Sequence, residues 1–205
     1  MAWAPDYCTA DDLAEYLRID DDLDDAELER AVTASSRAID RHTNRQFGLV
    51  ATPEARYYTA RWSRSRRTWL VPIDDLMTET GFEVATEQHA AGEFVAVVGP
   101  VLRPRNAGPE GRPWTELAIP DAFAVGARFG QPDGVRVTAR FGWTTVPVAV
   151  EQASLLQASR LVARRSAPFG VAGSPEVGSE MRLLAKVDPD VAVTLDGYRR
   201  RVWAR

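Results

Sequence analysis

Between Asp24 and Gly48 apolar and small residues recur every three or four positions. Leu28, Ala31, Val32, Ser35, Ala38, Ile39 and His42 fall on one face, and Glu29, Arg30, Arg37, Asp40 and Arg41 on the other. That period predicts a helix near residues 24–46. Asp24 or Asp25 can cap its first turn, and Glu27 places negative charge where the helix dipole favours it. The stripe is narrow and made largely of small side chains, so a second helix can approach closely. Phe47-Gly48 ends the run with an apolar anchor and a residue that tolerates a left-handed cap.

The same period predicts three more helices. Thr9 with Asp12 reads as a capping box ahead of Leu13, Tyr16 and Leu17, giving a short helix near 9–19. Pro147 suits a first helical turn, and Val150, Ala153, Leu156, Gln157, Leu161 and Val162 follow on one face until Ala167-Pro168, predicting a helix near 147–166 that packs on the small-residue stripe. Asp188-Pro189 opens a last helix near 189–200, with Val191, Leu195 and Tyr198 as its apolar positions. The stretch APFGVAGSPEVGSE between these two is rich in Gly, Pro and Ser and reads as a mobile loop.

From Gly48 to Val146 the period changes to two. Strands are predicted at Arg56–Ala60, Thr68–Val71, Gly81–Thr86, Glu93–Val98, Leu117–Ile119 and Val135–Phe141. In the last, Val135, Val137, Ala139 and Phe141 alternate with Arg136, Thr138 and Arg140, as in a half-buried antiparallel strand. RPRNAGPEGRP is a long loop. The fold expected is therefore α+β: a small antiparallel helical bundle from residues 1–48 and 147–205, carrying residues 49–146 as an inserted β lobe.

A chain of 205 residues can bury enough surface to need no covalent staple. The single Cys8 excludes an internal disulfide, and no apolar run reaches membrane-spanning length. The start MAWAPDYCTADD lacks the basic flank and apolar core of a signal peptide, so a soluble protein is expected. The net charge of −4 hides an asymmetry. Residues 1–30 hold eleven acids and two bases, giving −9, whereas residues 151–205 hold nine bases and six acids, giving +3. Opposed ends suit head-to-tail contact between copies, although solvated helix faces explain the same pattern more simply.

Catalytic signatures do not emerge. Asp20–Asp25 resembles a calcium loop only in its acids, because Asp25 stands where a glycine is needed and Ala31 where a bidentate Glu is needed. Neither His42 nor His89 has a Cys or second His at i+3 or i+4, so no metal site is expected. There is no G-x-S-x-G, Walker loop or dinucleotide fingerprint, and paired acids such as Asp74-Asp75 are generic. The residues by themselves give an enzyme reading no support, without excluding one.

One stretch does mix chemistry. In RYYTARWSRSRRTWL, Arg56, Arg61, Arg64, Arg66 and Arg67 are interleaved with Tyr57, Tyr58, Trp62 and Trp69, the mixture that neutralises phosphates and stacks bases. The plainer reading is a β-hairpin whose aromatics pack into the lobe and whose SRSRR tip is a solvated turn. Arg61, Arg64, Arg66 and Arg67 are candidate contacts to DNA or to a neighbouring copy.

YCTADDLAEYLRI, then DDAELERAVTASSRAIDRHTNRQF, a β insertion, PVAVEQASLLQASRLVARRSAPFGV and a late DPDVAVTLDGYRR follow in an order that resembles the head-to-tail adaptor (connector) proteins of long-tailed bacteriophages. The resemblance covers roughly the first fifty and last sixty residues. It implies a dodecameric ring in the virion neck, assembled in the host cytoplasm, that joins the portal to a stopper or tail component. DNA would pass through its channel without sequence-specific binding, and no catalytic residue, cofactor or membrane would be involved. By position, the segment that docks on the portal in such proteins falls here on Tyr198, Arg199, Arg200, Arg201, Trp203 and Arg205. The alternative reading is a nucleic-acid-binding protein that uses the ribbon 56–69.

Overall fold

The computed structural model describes residues 4–19, 25–87, 92–120, 132–165, 171–172, 181–182 and 188–200. The chain forms two compact units, one from residues 1–47 and 146–205 and the other from residues 48–145.

The first unit holds the four helices. In α1 (Ala10–Leu17) the capping box is formed: Thr9 Oγ1 accepts the Asp12 N–H at 3.0 Å, and Asp12 Oδ2 accepts the Thr9 N–H at 2.8 Å. These bonds favour the ionised carboxylate and hold Asp12 below its usual pKa. Leu13 points inward to a core shared with Leu28, Ala31 and Val32 of α2 (Asp25–Thr43) and Ala158 of α3 (Val148–Arg165). The small-residue stripe of α2 lies against α3, where the Ser35 and Ser154 hydroxyls meet at 2.8 Å, fully buried. Helix α2 ends earlier than Phe47-Gly48 suggests. Asn44 takes the left-handed position with φ 53°, because Asn tolerates that conformation among non-glycine residues.

Helix α4 (Pro189–Asp196) is capped by Asp188, whose Oδ1 accepts the Asp190 N–H at 2.7 Å, and it buries Val191 and Leu195. Gln157 Oε1 accepts the Asp188 N–H at 3.2 Å, and Arg160 pairs with the Asp188 carboxylate, so the cap is itself tied to α3. Within the stretch read as a loop, β9 (Val171–Ala172) pairs antiparallel with β10 (Met181–Arg182), which follows directly after that stretch. Residues 166–170 and 173–180 lie outside the described residues, as do His89 and Asp20–Asp24.

The second unit contains two four-stranded antiparallel sheets. One has the order β1 (Glu54–Tyr58), β8 (Val135–Ala139), β4 (Glu83–Glu87), β5 (Phe94–Ala96). The other has the order β2 (Arg61–Ser63), β3 (Thr68–Leu76), β7 (Trp114–Pro120), β6 (Val101–Arg103). In β8, Val135, Val137 and Ala139 are buried and alternate with half-exposed Arg136 and Thr138. Val71, Ile73 and Leu76 of β3, Leu117 and Ile119 of β7, and Phe141 are buried as well. Strand β3 runs through Pro72, and its register against β7 slips between Pro72 and Leu76, where a proline cannot donate to the ladder.

The expected architecture, a helical bundle to which a β lobe is attached, is therefore corrected. Among the described residues the chain is α+β, with two antiparallel sheets of four strands each as well as four helices. Two of those helices are only eight residues long, about two turns, too short for the continuous seam of a bundle. The strands meanwhile bury a core of their own, which makes the sheets a principal element of the fold.

Candidate functional site

The arginine-aromatic ribbon does not act as one surface. Its first part belongs to β1, where Arg56 is committed to neighbours: Nε and Nη2 donate to Glu54 Oε1 at 2.8 and 2.5 Å, and Nη1 donates to Asp74 Oδ2 at 2.8 Å. Its guanidinium also lies 4.3 Å over the Phe141 ring. Burial works against the charge, but the bonds to Asp74 and Glu54 outweigh it and raise the Arg56 pKa. The Tyr58 hydroxyl donates to the same Asp74 oxygen at 3.0 Å, and burial, aided by the Asp74 charge, pushes its pKa well above the ordinary tyrosine value. Tyr57 is half exposed and meets Phe94 edge-on at 5.8 Å, with Arg136 at 4.7 Å over the Phe94 ring.

The second part forms the β2–β3 hairpin. Arg61 pairs with Leu70, Trp62 with Trp69, and Ser63 with Thr68. Directly opposed residues share a face, so the two indoles meet with ring centroids 5.2 Å apart, on the face opposite Arg61. The turn places Arg64, Ser65, Arg66 and Arg67 in solvent, and Arg61 is exposed too. Trp62 retains 38% of its surface. Arg67 adopts φ 49°, a left-handed conformation that costs a side chain bearing Cβ about 1 kcal/mol or more. Arg66 Nη1 stands 3.7 Å from Glu116 Oε1, an oxygen that Arg103 Nε also approaches at 3.6 Å. Such exposed pairs hold little energy. Arg61, Arg64 and Arg67 have no ion-pair or hydrogen-bond partner among the described residues.

The C-terminal segment divides in a similar way. Tyr198 is not a free anchor. Its carbonyl accepts Arg45 Nε–H at 2.6 Å, and its ring packs edge-on to buried Phe47 at 5.8 Å. The Arg200 N–H donates to the Thr43 carbonyl at 2.7 Å, which ties the chain to the end of α2, while Arg199 is exposed. Arg201, Trp203 and Arg205 lie outside the described residues.

Titratable groups elsewhere serve the scaffold. Asp74 and Asp75 are neighbours on β3 and so point to opposite faces, Asp74 to Arg56 and Tyr58, Asp75 to the Trp143 indole. Sequence reading treated the two as a generic pair. The signal for Asp75 was its place in the inward series Val71, Ile73, Asp75, where a carboxylate needs a buried donor. Asp40, likewise missed, accepts the Tyr7 hydroxyl and has its pKa raised by burial. Burial also raises the Cys8 thiol, which donates to Ser154 Oγ at 3.4 Å. An open acidic groove of about 1040 Å³ lies beside it, with Asp12, Glu15, Glu29 and Glu151 in its walls. Among the described residues, no group of three or more His, Cys, Asp and Glu could hold a metal ion, and no helix is long and apolar enough to cross a membrane. No model of a known protein family matches the chain, and no curated protein matches it.

Proposed function

We propose that the chain is a structural virion protein, a head-to-tail adaptor that forms a ring between the portal and a stopper or tail component around the DNA channel. The reading rests on the order of its sequence segments, and the observation that carries it furthest is the anchoring of the C-terminal segment. Backbone bonds at Tyr198 and Arg200 fix that segment to Arg45 and Thr43, and five residues, RVWAR, follow it. A short peptide with two arginines and a tryptophan, continuing from a fixed base, is suited to docking on a partner: the aromatic fills a pocket and the arginines supply its polar contacts. Arg199, Arg201, Trp203 and Arg205 are the docking residues in this reading. Tyr198 and Arg200 position them.

The test is to seek a portal gene in the same genome and to co-assemble its product with the chain, followed by mass measurement and electron microscopy. A discrete ring seated on the portal is expected. Cutting after Val187 would remove buried Val191 and Leu195, so the informative truncation falls after Arg200. That form and the Trp203→Ala variant should stay folded and dock weakly. A chain that stays monomeric with portal at every concentration removes the reading, and normal docking by the truncated form removes the role given to the tail.

A further inference from the structure

The β2–β3 hairpin is poorly explained as a solvated turn. Residues 55–73 hold five arginines and no acid, on a chain whose net charge is −4. Arg56 is absorbed by Glu54 and Asp74, which leaves four guanidiniums within the seven residues from Arg61 to Arg67. Of these only Arg66 approaches an acid, Glu116 at 3.7 Å, and the pair is exposed and weak; like charges at that spacing otherwise repel. The left-handed position at Arg67 is equally uneconomical for stability, since a glycine would take it without steric cost. An observed backbone outlier inside an exposed run of like charge points to a ligand that uses the charge.

We propose that this hairpin is a nucleic-acid contact, in which Arg61, Arg64, Arg66 and Arg67 bind backbone phosphates and Trp62 offers a stacking face. Guanidinium forks match phosphate and carboxylate oxygens alike, and two features favour a nucleic acid over an acidic protein surface. The half-exposed Trp62 is propped by Trp69 on the same hairpin as the exposed arginines, and a π-face beside cationic groups holds strands without regard to sequence. A two-stranded ribbon, moreover, is narrow enough to enter the roughly 12 Å major groove, where phosphates flank both of its faces. Arg61 and the Trp pair lie on opposite faces of this ribbon. A contact of this kind is electrostatic and blind to sequence, and it is weak at physiological salt. It does not depend on the adaptor reading and is measurable on the isolated chain.

The experiment is fluorescence anisotropy with a short labelled duplex and a labelled oligo-dT strand, across salt from about 50 to 200 mM. Four phosphate contacts give a log–log salt slope near −3.6 on duplex, so affinity should fall about a hundredfold over that range. The Arg61→Ala/Arg64→Ala/Arg67→Ala variant, checked for an unchanged melting temperature, should flatten the slope by about three. Trp62→Ala, checked in the same way, should weaken the single strand more than the duplex, and an unchanged single-strand affinity overturns the stacking role given to Trp62. Failure to bind either nucleic acid at the lowest salt overturns the proposal, as does wild-type binding by the triple variant. Binding of a poly-glutamate peptide that depends on the hairpin, with no nucleic-acid binding, would make it a protein contact and overturn it too.

Discussion

The indole N–H of Trp143 donates to Oδ2 of Asp75 at 2.9 Å, with both side chains buried. The two residues are 68 positions apart, so the bond fastens β3 to the segment that leaves the second unit. A buried carboxylate that loses one of its donors is less well compensated for its desolvation, at a cost of about 1–3 kcal/mol. Trp143→Phe should therefore lower the stability of residues 48–145 by that amount, measured by urea denaturation or by faster amide exchange in β3. An unchanged midpoint would show that water replaces the indole.

Gly142 stands next to this bond and has φ 115°. A Cβ placed there would lie 1.8 Å from the Gly48 carbonyl oxygen, which is rigid backbone engaged by the Trp143 N–H at 2.8 Å. The conformation alone costs an L-residue about 1–3 kcal/mol. Gly142→Ala should cost more than that, because the strand and its hydrogen bonds must also move. Amide exchange in residues 48–145 should rise sharply in this variant while α2 and α3 keep their protection.

Tyr7 and Tyr58 both have pKa values pushed well above the ordinary one, chiefly by burial and then by the carboxylates of Asp40 and Asp74. Above pH about 10 an unfolded chain releases tyrosine protons that these two keep when folded. The folded state then binds more protons than the unfolded, so its stability falls as pH rises through and beyond that point. The tyrosinate absorbance of Tyr7 and Tyr58 should appear only with unfolding. Tyr58→Phe should remove about one proton from the alkaline slope, at a cost near neutral pH of about 1 kcal/mol for the lost bond to Asp74.

Local signals were legible in the sequence: the Thr9 and Asp188 caps, the alternation of β8, and the small-residue face of α2 all rest on neighbours a few residues apart. The pairing of β1 with β8 and of β3 with β7 was not, because strand order is set by contacts distant in the chain. Edge strands β2 and β6, three residues each, are too short to display a period. At the candidate site the arginine cluster was visible, whereas its division was not. Arg56 and Tyr58 were lost to a carboxylate at Asp74, and nothing in the spacing of the ribbon announces that partner.

The Ser35 and Ser154 hydroxyls meet at 2.8 Å between α2 and α3, and Ser35 Oγ also donates to the Val32 carbonyl at 2.8 Å. If Ser35 gives its proton to Val32, Ser154 must be the donor across the interface, a direction that one hydroxyl on each helix can satisfy. Ser154→Ala removes that donor but leaves Ser35 bonded within its own helix, so the loss should be about 1 kcal/mol. Ser35→Ala takes away the acceptor and leaves the Ser154 hydroxyl to the weak sulfur donor of Cys8 at 3.4 Å. The double variant should cost less than the two single losses added together, and a double-mutant cycle reads the shared part directly. Fully additive losses would mean that the two hydroxyls do not cooperate. Ala158→Leu supplies the steric counterpart: Ala158 has no exposed surface within the core of α1, α2 and α3, so an enlarged side chain there should destabilise the helices by about 1–3 kcal/mol.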